Sequence, residues 1–146
     1  MPFITINDEI TSRNLNKIYR NTDCIFFYHW NSCGHCHQFK PIFYDVIHEL
    51  MDDHKDFMNK AHIFQIELDN FNLLPENLKQ IQAFPSVITY SNGKKIGEFS
   101  DQRTKPNLTK YILSSLGERS ATYKGKSSSS SKKKRVIKKY STPKTV

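Results

Sequence analysis

Cysteine is scarce in this chain of 146 residues, which has only Cys24, Cys33 and Cys36. Three cysteines cannot all pair, and the last two are close together in sequence, so the chain is not held by a framework of structural disulfides. Long hydrophobic runs are also absent, and no segment reaches membrane-spanning length. We therefore expect the fold to be stabilised by a packed core, for which a 37% apolar content is sufficient.

Recognisable targeting signals are missing from both ends of the sequence. The start, MPFITINDEITSR, has acidic residues where a signal peptide has a basic start and an apolar run. The final KTV is not a retention sequence for the endoplasmic reticulum. The sequence therefore predicts a protein that is not secreted and that resides in the cytoplasm, the nucleus or a virion.

An excess of positive charge is absent from residues 1–117, which hold 12 Lys/Arg and 13 Asp/Glu. Residues 118–146 hold 10 Lys/Arg and a single acidic residue, Glu118, so the formal net charge of +8 belongs to this end of the chain. Five consecutive serines, Ser127–Ser131, are followed there by the run KKKR, with very little apolar content. We predict a domain over residues 1–117 and a disordered, Ser/Lys-rich basic tail over residues 118–146.

The basic tail is open to two interpretations. Residues 132–139 could bind nucleic acid or a nuclear import receptor, because clustered Lys and Arg attract phosphate backbones and resemble import signals. Binding to nucleic acid would be nonspecific and would weaken with added salt, because only backbone charge is neutralised. The other interpretation is a solvated tail that only keeps the protein soluble.

Hydrophobic periodicity in residues 1–117 predicts an α/β domain with the element order βαβαβαββα. The predicted strands are Phe3–Ile6, Cys24–His29, His62–Leu68, Ser86–Ser91 and Lys94–Phe99. The predicted helices are one capped around Asn7 and ending near Asn21, a long one with an apolar stripe from Phe39 to Met51, a short one over Leu74–Gln82 opened by Pro75, and one from Pro106 to Gly117. This order favours a central mixed β-sheet flanked by helices on both faces, with Cys24–His29 as the central strand and a hairpin turn at Asn92-Gly93.

Reactive chemistry is predicted at Cys33-Gly34-His35-Cys36, which lies between the central strand and the first turn of the long helix. Free backbone N–H groups and the dipole at a helix N-terminus favour an anion, so Cys33 is the expected nucleophile. Cys36 lies one turn later and can attack a mixed disulfide at Cys33. His35 adds positive character beside the Cys33 thiolate, which favours the reduced state and makes the disulfide a better oxidant.

Metal binding is the main alternative to redox chemistry for these residues. The CxxC pair with His29, His35 and His37 could bind zinc, but structural zinc sites need four ligands, commonly from two such knuckles, and one is present. We therefore expect neither a metal nor another cofactor. Cys24 has apolar neighbours in a predicted strand and is assigned to the core.

Several motifs in fixed order resemble the thioredoxin superfamily. They are the CGHC tetrad, Pro41 five residues after Cys36, the segment IQAFPSV around Pro85, and the Asn92-Gly93 hairpin. The tetrad is similar to that of protein disulfide isomerase catalytic domains, and the resemblance spans roughly residues 3–117. It implies the thioredoxin fold and a thiol–disulfide oxidoreductase that acts on cysteine-containing proteins and is recycled by a separate redox partner.

The resemblance also implies roles for individual residues. Pro85 is expected to be cis and to face the cysteine pair, so that the backbone of Phe84 can pair with an extended substrate, with Trp30 on the same substrate-binding face. Gly34 and His35 of the tetrad and Arg103 in the segment DQRT are assigned to tuning the two thiols. The sequence departs from the family at Phe27, where an acidic residue is usual, and at Ser32, where the family has the tryptophan that directly precedes the first cysteine.

Two function classes remain open on the sequence. The favoured one is the oxidoreductase, and the alternative is a non-catalytic thioredoxin-fold binding protein or virion-associated protein anchored by its basic tail. A CGHC motif without secretion signals is an unusual combination, and it fits a virus-encoded protein that forms disulfides outside the secretory pathway.

Overall fold

The fold is built on a five-stranded mixed β-sheet with the strand order β1-β3-β2-β4-β5. The structure, a computed structural model, describes residues 3–117; the predicted tail and its boundary with the domain lie outside the described residues. The strands are β1 Phe3–Ile6, β2 Asp23–His29, β3 Ala61–Glu67, β4 Ser86–Ser91 and β5 Lys94–Glu98. The α-helices are α1 Glu9–Ile18, α2 Gly34–Asp53, α3 Lys55–Met58 and α4 Lys105–Ile112, with 3₁₀ turns at Leu68–Leu73 and Glu76–Leu78 and a π turn at Leu113–Gly117.

Strand β2 is the central strand, as the sequence predicts. It runs parallel to β3, with Ile25 opposite Ile63, and antiparallel to β4, with Ile25 opposite Thr89. Every residue of β2 after Asp23 is buried, because helices or loops cover both faces of the sheet. The CGHC segment therefore follows closely after the end of this central strand.

Alternate side chains of β2 enter two different layers of the core. Phe26 and Tyr28 belong to a cluster that includes Leu15 of α1. Phe27 points the other way, and its ring contacts the rings of Phe39 and Phe43 on α2 at centroid distances of 5.9 and 4.5 Å. Helix α4 packs beside α2 on this second face. The predicted thioredoxin fold with helices on both faces of a mixed sheet is confirmed.

Helix α1 begins and ends differently from the prediction. Its N-cap is Asp8, not Asn7, because the carboxylate accepts the Thr11 N–H at 2.8 Å and the Thr11 hydroxyl accepts the Asp8 N–H at 3.1 Å. The helix ends at Ile18, three residues before Asn21. The Thr22 hydroxyl donates to the Ile18 carbonyl at 2.9 Å and takes the place of the next helical N–H.

The predicted helix over Leu74–Gln82 is wrong, and the segment forms only the short 3₁₀ turn Glu76–Leu78. Leu74 and Leu78 are buried as the pattern suggests. However, the buried hydroxyl of Tyr28 donates to the Leu78 carbonyl at 3.0 Å and takes the acceptor that a continuing helix would use. The sequence also gives no hint of the four-residue helix α3.

The hairpin between β4 and β5 is confirmed. Asn92 and Gly93 both have positive φ, 51° and 83°, as a tight turn that follows the twist of the strands requires. At the other end of β4, the peptide bond between Phe84 and Pro85 is cis, as the family resemblance implies. Strand β4 therefore begins next to the cis proline and lies beside β2, which leads to the cysteines.

Candidate active site

Cys33 is the N-cap residue of α2, with extended backbone angles (φ −99°, ψ 116°) that turn the chain from β2 into the helix. The backbone N–H of Cys36 donates to the Cys33 sulfur at 3.1 Å. This hydrogen bond holds the Cys33 sulfur against the first turn of α2. Cys33 is half-buried, so the sulfur that receives the hydrogen bond is also accessible to a substrate.

Cys36 lies one turn further into the helix and is only 1% exposed. Burial raises the pKa of its thiol to about 11, and the neighbouring Cys33 adds to this effect. The backbone N–H of Trp30 and the positive charge of Arg103 act in the opposite direction and lower that pKa. The two cysteines therefore differ in access and environment, although both are free thiols.

The loop that contains the cis proline faces the cysteine pair. The Phe84 carbonyl oxygen lies 3.8 Å from the Cys33 sulfur, and Pro85 itself is buried. The structure thus brings together Cys33, Phe84 and Pro85 from segments about fifty residues apart in sequence. Backbone groups beside a reactive sulfur are suited to hold an extended peptide.

A cleft of about 340 Å³ opens between α2, the cis-proline loop and the loop that follows β5. Its walls include Phe39, Pro85 and Phe99, with the polar residues Asp101 and Arg103 at its other side. The positive charge of Arg103 lowers the pKa of Cys36, against the larger effect of burial, which raises it.

The other predicted site residues lie around Cys33. Trp30 is 39% exposed, and its carbonyl accepts the Cys33 N–H at 3.0 Å in a tight turn. His35 is exposed at the start of α2. A Cβ added at Gly34 would meet no atom within 4 Å, so packing does not require glycine there.

Phe27 fills the position where the family has an acidic residue, and it is fully buried between aromatic rings. Its neighbour on the same face of β2 is His29, at a ring-centroid distance of 5.3 Å. His29 is 5% exposed, and its Nδ1 has no hydrogen-bond partner among the described residues. Burial lowers the pKa of His29 to about 4, and Lys40 adds to the effect whereas Glu67 opposes it.

We expect His29 to make the protein less stable in acid. The folded-state pKa of about 4 lies below the ordinary value of 6.5, so the unfolded chain binds a proton first as the pH falls. Stability present above pH 6.5 is therefore lost towards pH 4, by on the order of 3 kcal/mol. Urea unfolding at several pH values should show a flatter profile for His29→Phe. The exposed His48→Phe is the control and should keep the wild-type slope; an unchanged slope for His29→Phe would contradict this assignment.

Sequence reasoning missed a group of residues behind the reactive turn. The Glu67 carboxylate, at the end of β3, accepts the backbone N–H of Asn31 at 2.9 Å, and His37 donates from Nε2 to the Asn31 carbonyl at 2.7 Å. The sequence signal for Glu67 is its place at the end of a buried strand, because α/β sheets present polar groups at that edge. The sequence alone does not show that Glu67 reaches the turn before Cys33.

Residues 3–117 contain neither a cluster of metal ligands nor a membrane-spanning helix. No three His, Cys, Asp or Glu side chains in this part of the chain are grouped as ligands for a metal ion. No helix within it has both the length and the apolar character required to cross a membrane.

Sequence comparison identifies relatives of this chain. The profile of the thioredoxin family matches residues 5–114. Bloodstream-specific protein 2 of Trypanosoma brucei brucei is 23% identical over 110 residues, which cover 75% of this chain and 20% of that protein. The chain thus spans about one fifth of the length of this curated relative.

Structural comparison finds the same architecture in solved structures. The zinc-bound form of human ERp44 superposes with a TM-score of 0.60 at 16% identity, covering 77% of this chain and 31% of that one. Thioredoxin from Malassezia sympodialis superposes with a TM-score of 0.57 at 15% identity, covering 77% and 90%. At these identities the likeness concerns the fold.

Proposed function

The chain belongs to the thioredoxin family, and from this premise we propose that it is a thiol–disulfide oxidoreductase that acts on protein cysteines through Cys33 and Cys36. The observation that carries the proposal is the pairing of an accessible sulfur, which accepts the Cys36 N–H at 3.1 Å, with a second thiol one helical turn away. This arrangement supports Cys33 as the attacking thiol and Cys36 as the resolving thiol.

The proposed reaction conserves sulfurs and electrons. The Cys33 thiolate attacks a substrate disulfide, whose S–S bond breaks as one substrate thiolate leaves and a mixed disulfide forms. Cys36 then loses its proton to solvent and attacks the Cys33 sulfur, so that the second substrate thiolate leaves and the Cys33–Cys36 disulfide forms. Two electrons pass from the protein to the substrate, and the reverse sequence donates a disulfide to a dithiol. A separate redox partner restores the starting state.

The causes of the raised pKa of Cys36 suggest how the second step is timed. Two of the causes, a hydrogen bond and a charge interaction, come from Cys33. Both are lost once the Cys33 sulfur is bonded to a substrate, whereas the Trp30 N–H and Arg103 continue to lower the pKa of Cys36. Burial, the largest cause of the raised pKa, remains, so loss of the Cys33 contributions lowers the pKa of Cys36 only in part at the moment of attack.

The substrate-binding residues of this proposal are Trp30, Phe84 and Pro85. The exposed Trp30 ring and the Phe84 backbone flank Cys33, and an extended substrate segment would lie between them. Arg103 is proposed to tune Cys36 through its charge, because it lowers the pKa of that thiol from within the neighbouring cleft.

The finer part of the proposal is isomerase-like redox behaviour. Isomerase domains have reduction potentials of about −180 mV, whereas the reduction potential of thioredoxin is about −270 mV. An imidazole at the second position of the helix, beside the Cys33 thiolate, favours the reduced form and moves the potential towards the isomerase value. We propose a potential in this higher range.

Replacing His35 by proline should make the potential more negative. Proline fits the first turn of a helix but removes both the imidazole and one N–H group near the thiolate. A fall of roughly 30 to 60 mV is expected, because about 30 mV corresponds to 1.4 kcal/mol for this two-electron couple. Equilibration with glutathione buffers measures it. His35→Ala removes the imidazole but keeps the N–H. Gln38→Ala, at an exposed position of α2, is the control and should keep the wild-type potential. An unchanged potential in His35→Pro would mean that His35 does not tune the thiols.

An insulin-reduction assay with dithiothreitol separates this proposal from a non-catalytic binding protein. The oxidoreductase should accelerate precipitation of the insulin B chain, whereas a binding module should leave the rate at the dithiothreitol background. An inactive wild type with correctly reduced thiols would favour the binding module.

The partner and location of the protein remain predictions from its sequence. Binding of nucleic acid or an import receptor through residues 132–139 would be supported by salt-sensitive binding that is lost when this basic run is deleted. A cytoplasmic, nuclear or virion location is proposed on the same basis.

A further inference from the structure

The cleft beside Pro85 has an apolar floor that takes no part in the proposed reaction. The floor consists of Phe39 from α2, Val87 from β4 and Phe99, which follows β5. The rings of Phe39 and Phe99 lie nearly parallel at a centroid distance of 6.1 Å, and the Phe99 N–H donates to the Val87 carbonyl at 2.9 Å. Three segments therefore form one apolar surface before any ligand binds, which reduces the cost of ordering on binding.

The rim of the cleft is polar and has no net formal charge. It consists of residues 100–103, which are all exposed and include one acidic residue, Asp101, and one basic residue, Arg103. A charged substrate side chain therefore meets one opposite and one like charge at the rim. Against the floor, a polar side chain would lose its hydration without gaining a hydrogen bond from the apolar side chains there. This composition favours an apolar occupant.

The cleft is continuous with the place where Cys33 meets a substrate. Pro85 is one wall of the cleft, and the carbonyl oxygen of the preceding residue, Phe84, lies 3.8 Å from the Cys33 sulfur. An extended peptide projects every second side chain to the same side, at a spacing of about 7 Å. A substrate cysteine that reaches Cys33 therefore directs the side chain two residues away towards the same face of the protein, beside Pro85.

We propose that the cleft binds a large apolar side chain, such as that of leucine or phenylalanine, two residues from the reacting cysteine of the substrate. The inference rests on the proposed function and names the class of substrate that the site prefers. The volume of about 340 Å³ is sufficient for one such side chain. Apolar segments are mostly buried in folded proteins, so the preferred substrates are unfolded or partly folded chains with a cysteine in an apolar extended segment.

The test uses short peptides whose single cysteine is disulfide-bonded to thionitrobenzoate. The Cys33 thiolate of the reduced full-length protein attacks the peptide sulfur, the S–S bond breaks, and the coloured thionitrobenzoate leaves. Cys36 then loses its proton to solvent and attacks the Cys33 sulfur, which releases the reduced peptide and forms the Cys33–Cys36 disulfide. Stopped-flow absorbance gives the second-order rate constant for each peptide. The rate constant with dithiothreitol corrects for the intrinsic reactivity of that peptide.

Three peptides differ only at the positions two residues before and two residues after the cysteine. One has serine at both positions, and the other two have phenylalanine at one of them. One phenylalanine peptide should react about tenfold faster than the serine peptide, as expected for partial burial of a large apolar side chain in an open cleft. Glutamate or lysine at the preferred position should give rates within about twofold of serine, and 0.5 M NaCl should leave the phenylalanine preference unchanged.

Variants of the cleft should change the ratio of the two rates within one protein, which a general loss of activity does not alter. Phe99→Ala should lower the preference for phenylalanine below about threefold, and Phe99→Leu should retain most of it because the floor stays apolar. Gln102→Trp changes an exposed rim residue, so folding should be unaffected, and the added bulk should also lower the preference. Ile96→Ala removes an exposed apolar side chain of β5 outside the cleft and is the matched control.

The possible outcomes separate this inference from the proposed function. Equal corrected rates for all peptides, a preference for glutamate or lysine, or an unchanged phenylalanine preference in both Phe99→Ala and Gln102→Trp would overturn the apolar site and leave the oxidoreductase intact. Release of thionitrobenzoate as fast in Cys33→Ser as in the wild type would overturn both.

Discussion

Replacing Cys33 by serine should reduce insulin-reduction activity to the uncatalysed background, a loss on the order of 10³-fold or more for removal of a nucleophile. A hydroxyl at this position can still accept the Cys36 N–H, so the helix cap is retained and folding should be unaffected. The variant therefore removes the attacking sulfur with little other change. Near-ultraviolet circular dichroism is the check that the fold is intact.

Cys36→Ser and Cys24→Ser complete this set of variants. Cys36→Ser keeps the attacking sulfur but cannot resolve the mixed disulfide, so a covalent complex with a substrate should accumulate and be visible on a non-reducing gel. Burial raises the pKa of Cys24 to about 11 and keeps its sulfur from solvent, so Cys24→Ser should retain activity. Full activity in Cys33→Ser, or trapping by Cys33→Ser instead of Cys36→Ser, would reverse the assigned roles.

Truncation of Phe27 to alanine should destabilise the protein by about 4 kcal/mol, as measured by urea unfolding of the reduced form. The ring is fully buried on the face of β2 that meets α2, and it stacks on Phe43 at a centroid distance of 4.5 Å. Its removal leaves a cavity that these rings cannot close. Phe27→Leu should cost less because it fills more of the space.

Ile10→Ala is the matched control for this truncation. Ile10 is 61% exposed on α1, so its truncation should change stability by no more than about 0.5 kcal/mol. A loss at Phe27 as small as that would mean that α2 does not depend on this contact. Folded Phe27→Ala protein should keep its activity, since the benzyl group can carry no proton for Cys36.

Much of the fold is predictable because its signals are local. The buried run of β2, the apolar stripe of α2 and the Asn92-Gly93 turn each need only a short window of sequence to be recognised. The failed helix after Leu74 shows the limit of this reasoning. Its outcome depends on a hydrogen bond from Tyr28, which lies 50 residues away from Leu78 in the chain.

The candidate site also has a part that the sequence predicts and a part that it does not. Cys33 and Cys36 stand out because their spacing places both at the opening of one helix, and the cis peptide before Pro85 follows from the family resemblance. The contact between Glu67 and Asn31 joins residues 36 positions apart through a backbone N–H. Every residue except proline has a backbone N–H at position 31, so no residue pattern predicts the contact.

In the proposed reaction Cys33 attacks first and Cys36 reacts only with the mixed disulfide, and alkylation of the reduced protein with iodoacetamide at pH 7 tests this order most directly. A pKa of about 11 leaves only about 10⁻⁴ of Cys36 ionised at this pH, and burial restricts access further. Peptide mass spectrometry over time should show Cys33 modified at least about a hundredfold faster than Cys36. Equal rates for the two cysteines, or faster modification of Cys36, would contradict the account.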